Sequence, residues 1–197
     1  MEIRIDRVGL LVEQLTDAVM FSRERIDGMS DDEFLWEPVS PCWSIRSCAS
    51  AATPDAFGPG QFVLDADVSV DPFEVGPFTT IAWRVGHLLS AYAGRFEWTF
   101  GRRATPPADL VEFTPEAGPM VAQMWDEIDR WVAAVEAMTD VQLDEPGFGQ
   151  YPMGMDPRLP FIGIVRWMNR ETIHHLAEVA LLRDLYAARG TFVTGAR

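Results

Sequence analysis

Four long runs of helical periodicity, with almost no strand signal between them, predict an all-α protein, a four-helix bundle. A third observation concerns function. The last run carries Glu171, His175 and Glu178 within one narrow arc, at ~100° per residue, and the same arc holds Ile164, Met168, Leu182 and Tyr186. Ionisable groups therefore stand on the stripe that should face the core. Buried charge is costly unless it is paired, hydrogen-bonded or bound to a metal.

The first run extends from about Ile5 to Gly28, with Val8, Leu11, Val12, Leu15, Val19 and Ile26 at helical spacing and a glycine to stop it. Ser30-Asp-Asp-Glu33 reads as a capping box opening a short turn from Glu33 to Trp36. From Pro38 to Phe78 the chain is rich in Pro, Gly, Ser and Ala without a sustained period, which predicts a long loop, with a short strand at Phe62-Val-Leu-Asp at most. The second long helix opens at Thr79 or Thr80 and runs to about Phe100. The third follows Thr114-Pro115-Glu116, with the proline in its first turn, and continues through Met120, Met124, Ile128, Trp131 and Val135. Thr139 to Leu143 adds a turn, and a Gly- and Pro-rich loop from Pro146 to Pro157 leads to the fourth helix, about Pro160 to Arg189.

The 197 residues suit one domain, residues 1–189, followed by a loose tail, 190–197. No run of apolar residues is long enough to span a membrane, and Met-Glu-Ile-Arg-Ile-Asp-Arg at the start lacks the apolar core of a signal peptide, so a cytoplasmic protein is expected. A net charge of −14 argues against nucleic acid as a partner. All 16 basic residues are arginine, which excludes a Schiff-base or P-loop lysine. Cys42 and Cys48 match neither a redox nor a zinc spacing and read as free thiols.

Glu171 and His175 are one turn apart and can reach a single ion. With His87 from the second helix they make two imidazoles and one carboxylate, a set suited to zinc with an open position or to a non-haem iron site. His174 and Glu178 have the same spacing, rotated ~60° away, and remain an alternative pair. On the second helix Trp83, His87, Ser90, Ala91, Gly94 and Trp98 share one face, while Ile81, Val85, Leu88, Tyr92 and Phe96 fill the opposite one. The small residues beyond His87 suggest a pocket walled by tryptophan. A helix apolar on both faces, together with Ile173, Leu176 and Ala180 on the fourth, points to a homodimer.

Three segments carry a family resemblance: Leu35-Trp-Glu-Pro with Cys42-Trp-Ser-Ile-Arg46, then Thr79 to His87, then Trp167-Met-Asn-Arg-Glu-Thr-Ile-His-His-Leu-Ala-Glu178 continuing to Tyr186. In this combination the chain resembles the DinB-like family. The resemblance implies a four-helix bundle with one long crossover connection, often dimeric, and a metal held by a histidine on the second helix and two on the fourth. His87 and His175 match two of those positions, and Glu171 stands where the family pattern has its third histidine. Relatives of this kind imply a divalent metal (zinc foremost, with nickel, iron or manganese as others) and a low-molecular-weight thiol cosubstrate such as mycothiol or bacillithiol. The activity so implied is an S-transferase or isomerase on a small-molecule substrate. Arg46 and Arg84 would anchor an anionic group of substrate or cosubstrate, and Glu178 would orient a ligand or act as general base. The alternatives are a metal-dependent hydrolase and a non-catalytic ligand-binding stress protein.

Overall fold

In the computed structural model, which describes residues 6–70, 76–149 and 158–190, four long helices carry the fold: α1 (Arg7–Ile26), α3 (Ile81–Thr99), α4 (Ala117–Glu136) and α6 (Phe161–Ala188), with two short ones, α2 (Asp31–Phe34) and α5 (Asp140–Leu143). Four of the six, α1, α2, α3 and α5, start at a side-chain cap, whereas α4 and α6 have none. Asp6 accepts from the Gly9 amide, Ser30 from Glu33, and Thr80 from Trp83, while Thr139 and Gln142 form a reciprocal box ahead of α5; each cap satisfies an amide the helix cannot. The Ser30 cap corrects the short turn, which spans Asp31–Phe34 rather than Glu33 to Trp36. Pro115 is not in the first turn of α4: the helix begins at Ala117, whose amide donates to Asp31 Oδ1 at 2.8 Å. The expected start of α1 at Ile5, the residues 150–157 of the Pro/Gly loop, and residues 191–197 of the tail lie outside the described residues.

α1 is flanked by α4 and α6, and α3 by the same two, so α1 and α3 lie on a diagonal. Ion pairs and hydrogen bonds give the directions. Arg23 meets Asp129 and Asp27 meets Trp125, so α1 and α4 are antiparallel. Leu11 meets Asn169 and Arg25 meets Asp184, so α1 and α6 are parallel. Arg84 meets Glu178 and Tyr92 meets Thr172, so α3 and α6 are antiparallel. It follows that α3 and α4 run the same way, and the segment between Thr99 and Ala117 must return along the bundle to join them. This is the long crossover of the bundle. The core between the helices includes Leu15, Ile26, Leu88, Met124, Trp131 and Phe161, each at most 2% exposed.

The segment between α2 and α3 is more ordered than its composition suggests. Two strand pairs lie in it: β1 (Cys42–Trp43) runs parallel to β4 (Phe78–Thr79), and β2 (Ile45–Ser47) is antiparallel to β3 (Phe62–Leu64). Strands of two or three residues are too short to show an alternating pattern. Asp65, fully buried just after β3, gathers the segment: its carboxylate accepts from the Ser44 and Ala52 amides and from Arg46 Nε.

The apolar face of the second long helix is not a dimer surface. Ile81, Val85, Leu88 and Tyr92 are each at most 1% exposed within one chain. On α6, Leu176 is also core at 1%, whereas Ile173 and Leu181 are exposed at 37% and 58%. The outward strip of α6 is thus Ile173, Ala177 and Leu181, one turn apart from each other.

Candidate metal centre

α3 and α6 lie side by side, and their facing surfaces bring His87, Glu171 and His175 together. One potential ligand atom from each falls within 4.8 Å of the other two. His175 Nε2 is 3.4 Å from Glu171 Oε2, and His87 Nε2 is 3.8 Å from the same oxygen. Ligand atoms around one tetrahedral zinc, at 2.0–2.2 Å from it, are themselves ~3.3–3.5 Å apart. The donor set and its spacing therefore fit a divalent ion with little movement. Among the described residues this is the cluster of histidine, cysteine and carboxylate that meets that condition.

The surroundings set the orientation of each ring. His175 Nδ1 lies 2.7 Å from Glu178 Oε2, a contact that holds the ring with Nε2 facing Glu171 and His87. Metal-binding histidines characteristically hold their second nitrogen in this way. Arg84 Nη1 donates to the same Glu178 oxygen at 3.0 Å. Trp83 lies flat on His87, with ring centroids 4.9 Å apart and planes 8° from parallel. The indole is itself fixed, since its Nε1 donates to the Asp65 carbonyl at 2.8 Å. The segment before α3 thus steadies a ring on α3.

Electrostatics follow from these contacts. The hydrogen bonds from His175 and then His87 hold the Glu171 carboxyl well below the usual carboxylate range. Burial alone would raise Glu178, but the His175 hydrogen bond and the charge of Arg84 outweigh it, and its pKa is lowered. Burial pushes His87 down more than Glu171 pushes it up. At His175 burial acts downward too, yet Glu171 and Glu178 together raise it. The two carboxylates stay ionised, and His87 is held neutral, the form a metal needs.

A cavity of about 350 Å³ opens beside this cluster, lined by His87, Ser90 and Ala91 of α3 and by Trp167 of α6. The small residues beyond His87 do leave space, but the tryptophan at its wall is Trp167 rather than Trp83 or Trp98. His174 points outward and is exposed, so His174 and Glu178 do not form a ligand pair; Glu178 serves His175 instead. Arg46 is not at the cluster. Its guanidinium donates to Asp65, Glu37 and the Cys42 carbonyl, and these contacts make it a brace of the segment before α3 rather than an anchor for substrate. Arg84 does reach the cluster, engaged with Glu178.

The sequence model of the DinB superfamily matches residues 14–179. The chain belongs to the DinB superfamily. No curated protein and no solved structure matches it. The match covers all four long helices in whole or in large part, and includes His87, Glu171, His175 and Glu178. Within this DinB superfamily member, sequence reasoning missed Asp65, Arg95 and Trp167. Trp167 precedes Glu171 by one turn and Arg95 follows His87 by two, so extending each ligand's face along its helix would have found both. Asp65 acts through contacts distant in sequence, for which no local pattern exists.

Proposed function

We propose that this DinB superfamily member is a metal-dependent enzyme that transfers or isomerises a small substrate with the help of a low-molecular-weight thiol, mycothiol or bacillithiol. One observation carries the reading: His87, Glu171 and His175 converge beside a cavity, and the second nitrogen of His175 is already held by Glu178. His87, Glu171 and His175 would hold a divalent ion. Zinc suits two imidazoles and a carboxylate best, and nickel, iron or manganese also accept such a set. When bound, the ion supplies positive charge that lowers the pKa of a thiol or water placed in the cavity.

The chain's own residues do the rest. Glu178 holds His175 by its Nδ1 and is half-exposed and ionised, so it can accept a proton. Arg84 keeps Glu178 in place. Trp83 and Trp167 shield the cluster from bulk water, which strengthens every charge interaction within it. A cytoplasmic setting accords with a thiol cosubstrate, since thiols stay reduced there, and none of the described helices is long and apolar enough to cross a membrane. The outward strip of Ile173, Ala177 and Leu181 supports a homodimer formed through α6.

The test is metal analysis of untagged protein followed by turnover assays with and without added thiol. Roughly one divalent ion per chain and turnover that requires the thiol support the reading. Turnover of the same substrates without thiol points to a hydrolase with the same ligands. Absence of metal, with zinc titration giving no binding, overturns the metal-dependent reading in favour of a ligand-binding bundle.

A further inference from the structure

We propose that the cavity beside His87 binds a small carboxylic acid with an apolar or aromatic body, its carboxylate held by Arg95; this rests on reading the His87 cluster as the working site. At about 350 Å³ the cavity has the size of a small-molecule site. Its walls are mostly apolar, Phe57, Val68 and Ala91 among them, and carry two charged side chains: Arg95, buried, and Asp55, exposed and accepting from the Val68 amide. Arg95 is only 4% exposed. A guanidinium is kept at such a place where an anion or an aromatic face meets it. Trp167 supplies the face, with the guanidinium carbon 5.1 Å from its ring centroid. A guanidinium carries five N–H donors in a planar fork, so it can hold a ligand carboxylate alongside its protein contacts.

Helix geometry sets the ligand's length. His87, Ala91 and Arg95 are successive turns of one face of α3, and two turns rise ~12 Å. Side chains on a helix lean toward its N-terminus, so the long Arg95 side chain leans back across Ala91 toward His87. A ligand bridging the two needs its carboxylate only a few bonds from its reacting atom. The chain's net charge of −14 repels anions in general. Inside the cavity Arg95 is the buried charge, whereas Asp55 is exposed, so a ligand carboxylate is oriented toward Arg95.

The test uses the full chain as purified, with three probes of one shape: 3-phenylpropionate, 3-phenylpropanol and 3-phenylpropylamine, followed by calorimetry, with metal content measured on the same samples. The acid should bind about tenfold tighter than the alcohol, and the amine no tighter than the alcohol. Arg95→Met keeps the apolar stem and should abolish the preference for the acid over the alcohol. Ala91→Leu, which fills the cavity, should weaken all three probes and keeps the test decisive if Arg95→Met does not fold. Equal affinity for acid and alcohol overturns the proposal. So does a preference that survives Arg95→Met, as binding to the ion itself would, or acid binding indifferent to Ala91→Leu. Loss of the metal reading would show instead as metal-free protein whose Arg95-dependent preference is intact.

Discussion

Trp83 lies over His87 at a centroid distance of 4.9 Å, nearly parallel to it, while its own nitrogen is tied to the Asp65 carbonyl. The indole is thus a fixed plate that limits how far the imidazole can turn. Trp83→Leu removes the plate without touching a ligand atom, and zinc affinity should fall about tenfold with helicity unchanged. Zinc titration beside circular dichroism checks this; an unaltered affinity would show that His87 is positioned by α3 alone.

Glu171 and Glu178 should separate by role. Glu171→Gln removes the charge from a proposed ligand and should weaken zinc binding by ~100-fold or more, whereas Glu171→His should keep binding and shift preference toward nitrogen-rich coordination. Glu178→Gln should cost only ~10-fold, because His175 keeps an acceptor while losing the charge behind it. The order of the three affinities decides the matter, and a Glu178→Gln defect larger than that of Glu171→Gln would reverse the assignment.

Arg46 is predicted to act on stability rather than on substrate affinity. It faces a fully buried Asp65 at 2.9 Å. Arg46→Met strands that carboxylate and should lower unfolding free energy by about 3 kcal/mol. Urea denaturation measures it. A stable variant with weakened substrate binding would restore Arg46 as an anchor.

Leu181 is 58% exposed on the outward strip of α6. If the chain pairs through this strip, Leu181→Asp should convert a species of twice the 22.1 kDa chain mass into a monomer in light scattering. A monomer in the unsubstituted protein at micromolar concentration would end the homodimer proposal.

The long helices were legible in the sequence because each repeats its apolar residues over many turns, and α1 and α3 are also opened by a capping side chain. The pairing of Glu171 with His175 followed from one-turn spacing, and His87 from being the remaining histidine on a second amphipathic run. The choice between Glu171/His175 and His174/Glu178 was not legible, since ~60° of rotation is less than the width of an apolar stripe. What favours Glu171/His175 is Glu178 lying over His175 Nδ1, a contact no stripe reveals. Of the paired strands before α3, β3 was foreseen in Phe62-Val-Leu-Asp, while β1, β2 and β4 escaped because two or three residues show no pattern and their partners lie far apart in sequence. Arg46 was misread for the same reason: its partner Asp65 is 19 residues away.

The antiparallel contact of α3 with α6 also bears on register. Apolar ridges can slip past each other by one turn, ~5.4 Å, and still bury similar area. This seam has polar rungs at intervals along it: Arg84 with Glu178, His87 with Glu171, and Tyr92 with Thr172 at 2.6 Å in the core. A one-turn slip would break every rung at once and leave buried hydroxyls and charges facing hydrocarbon. The pair of helices therefore has a single seating, found only when both have docked. The grouping of His87 with Glu171 and His175 therefore exists only in this one register of α3 against α6.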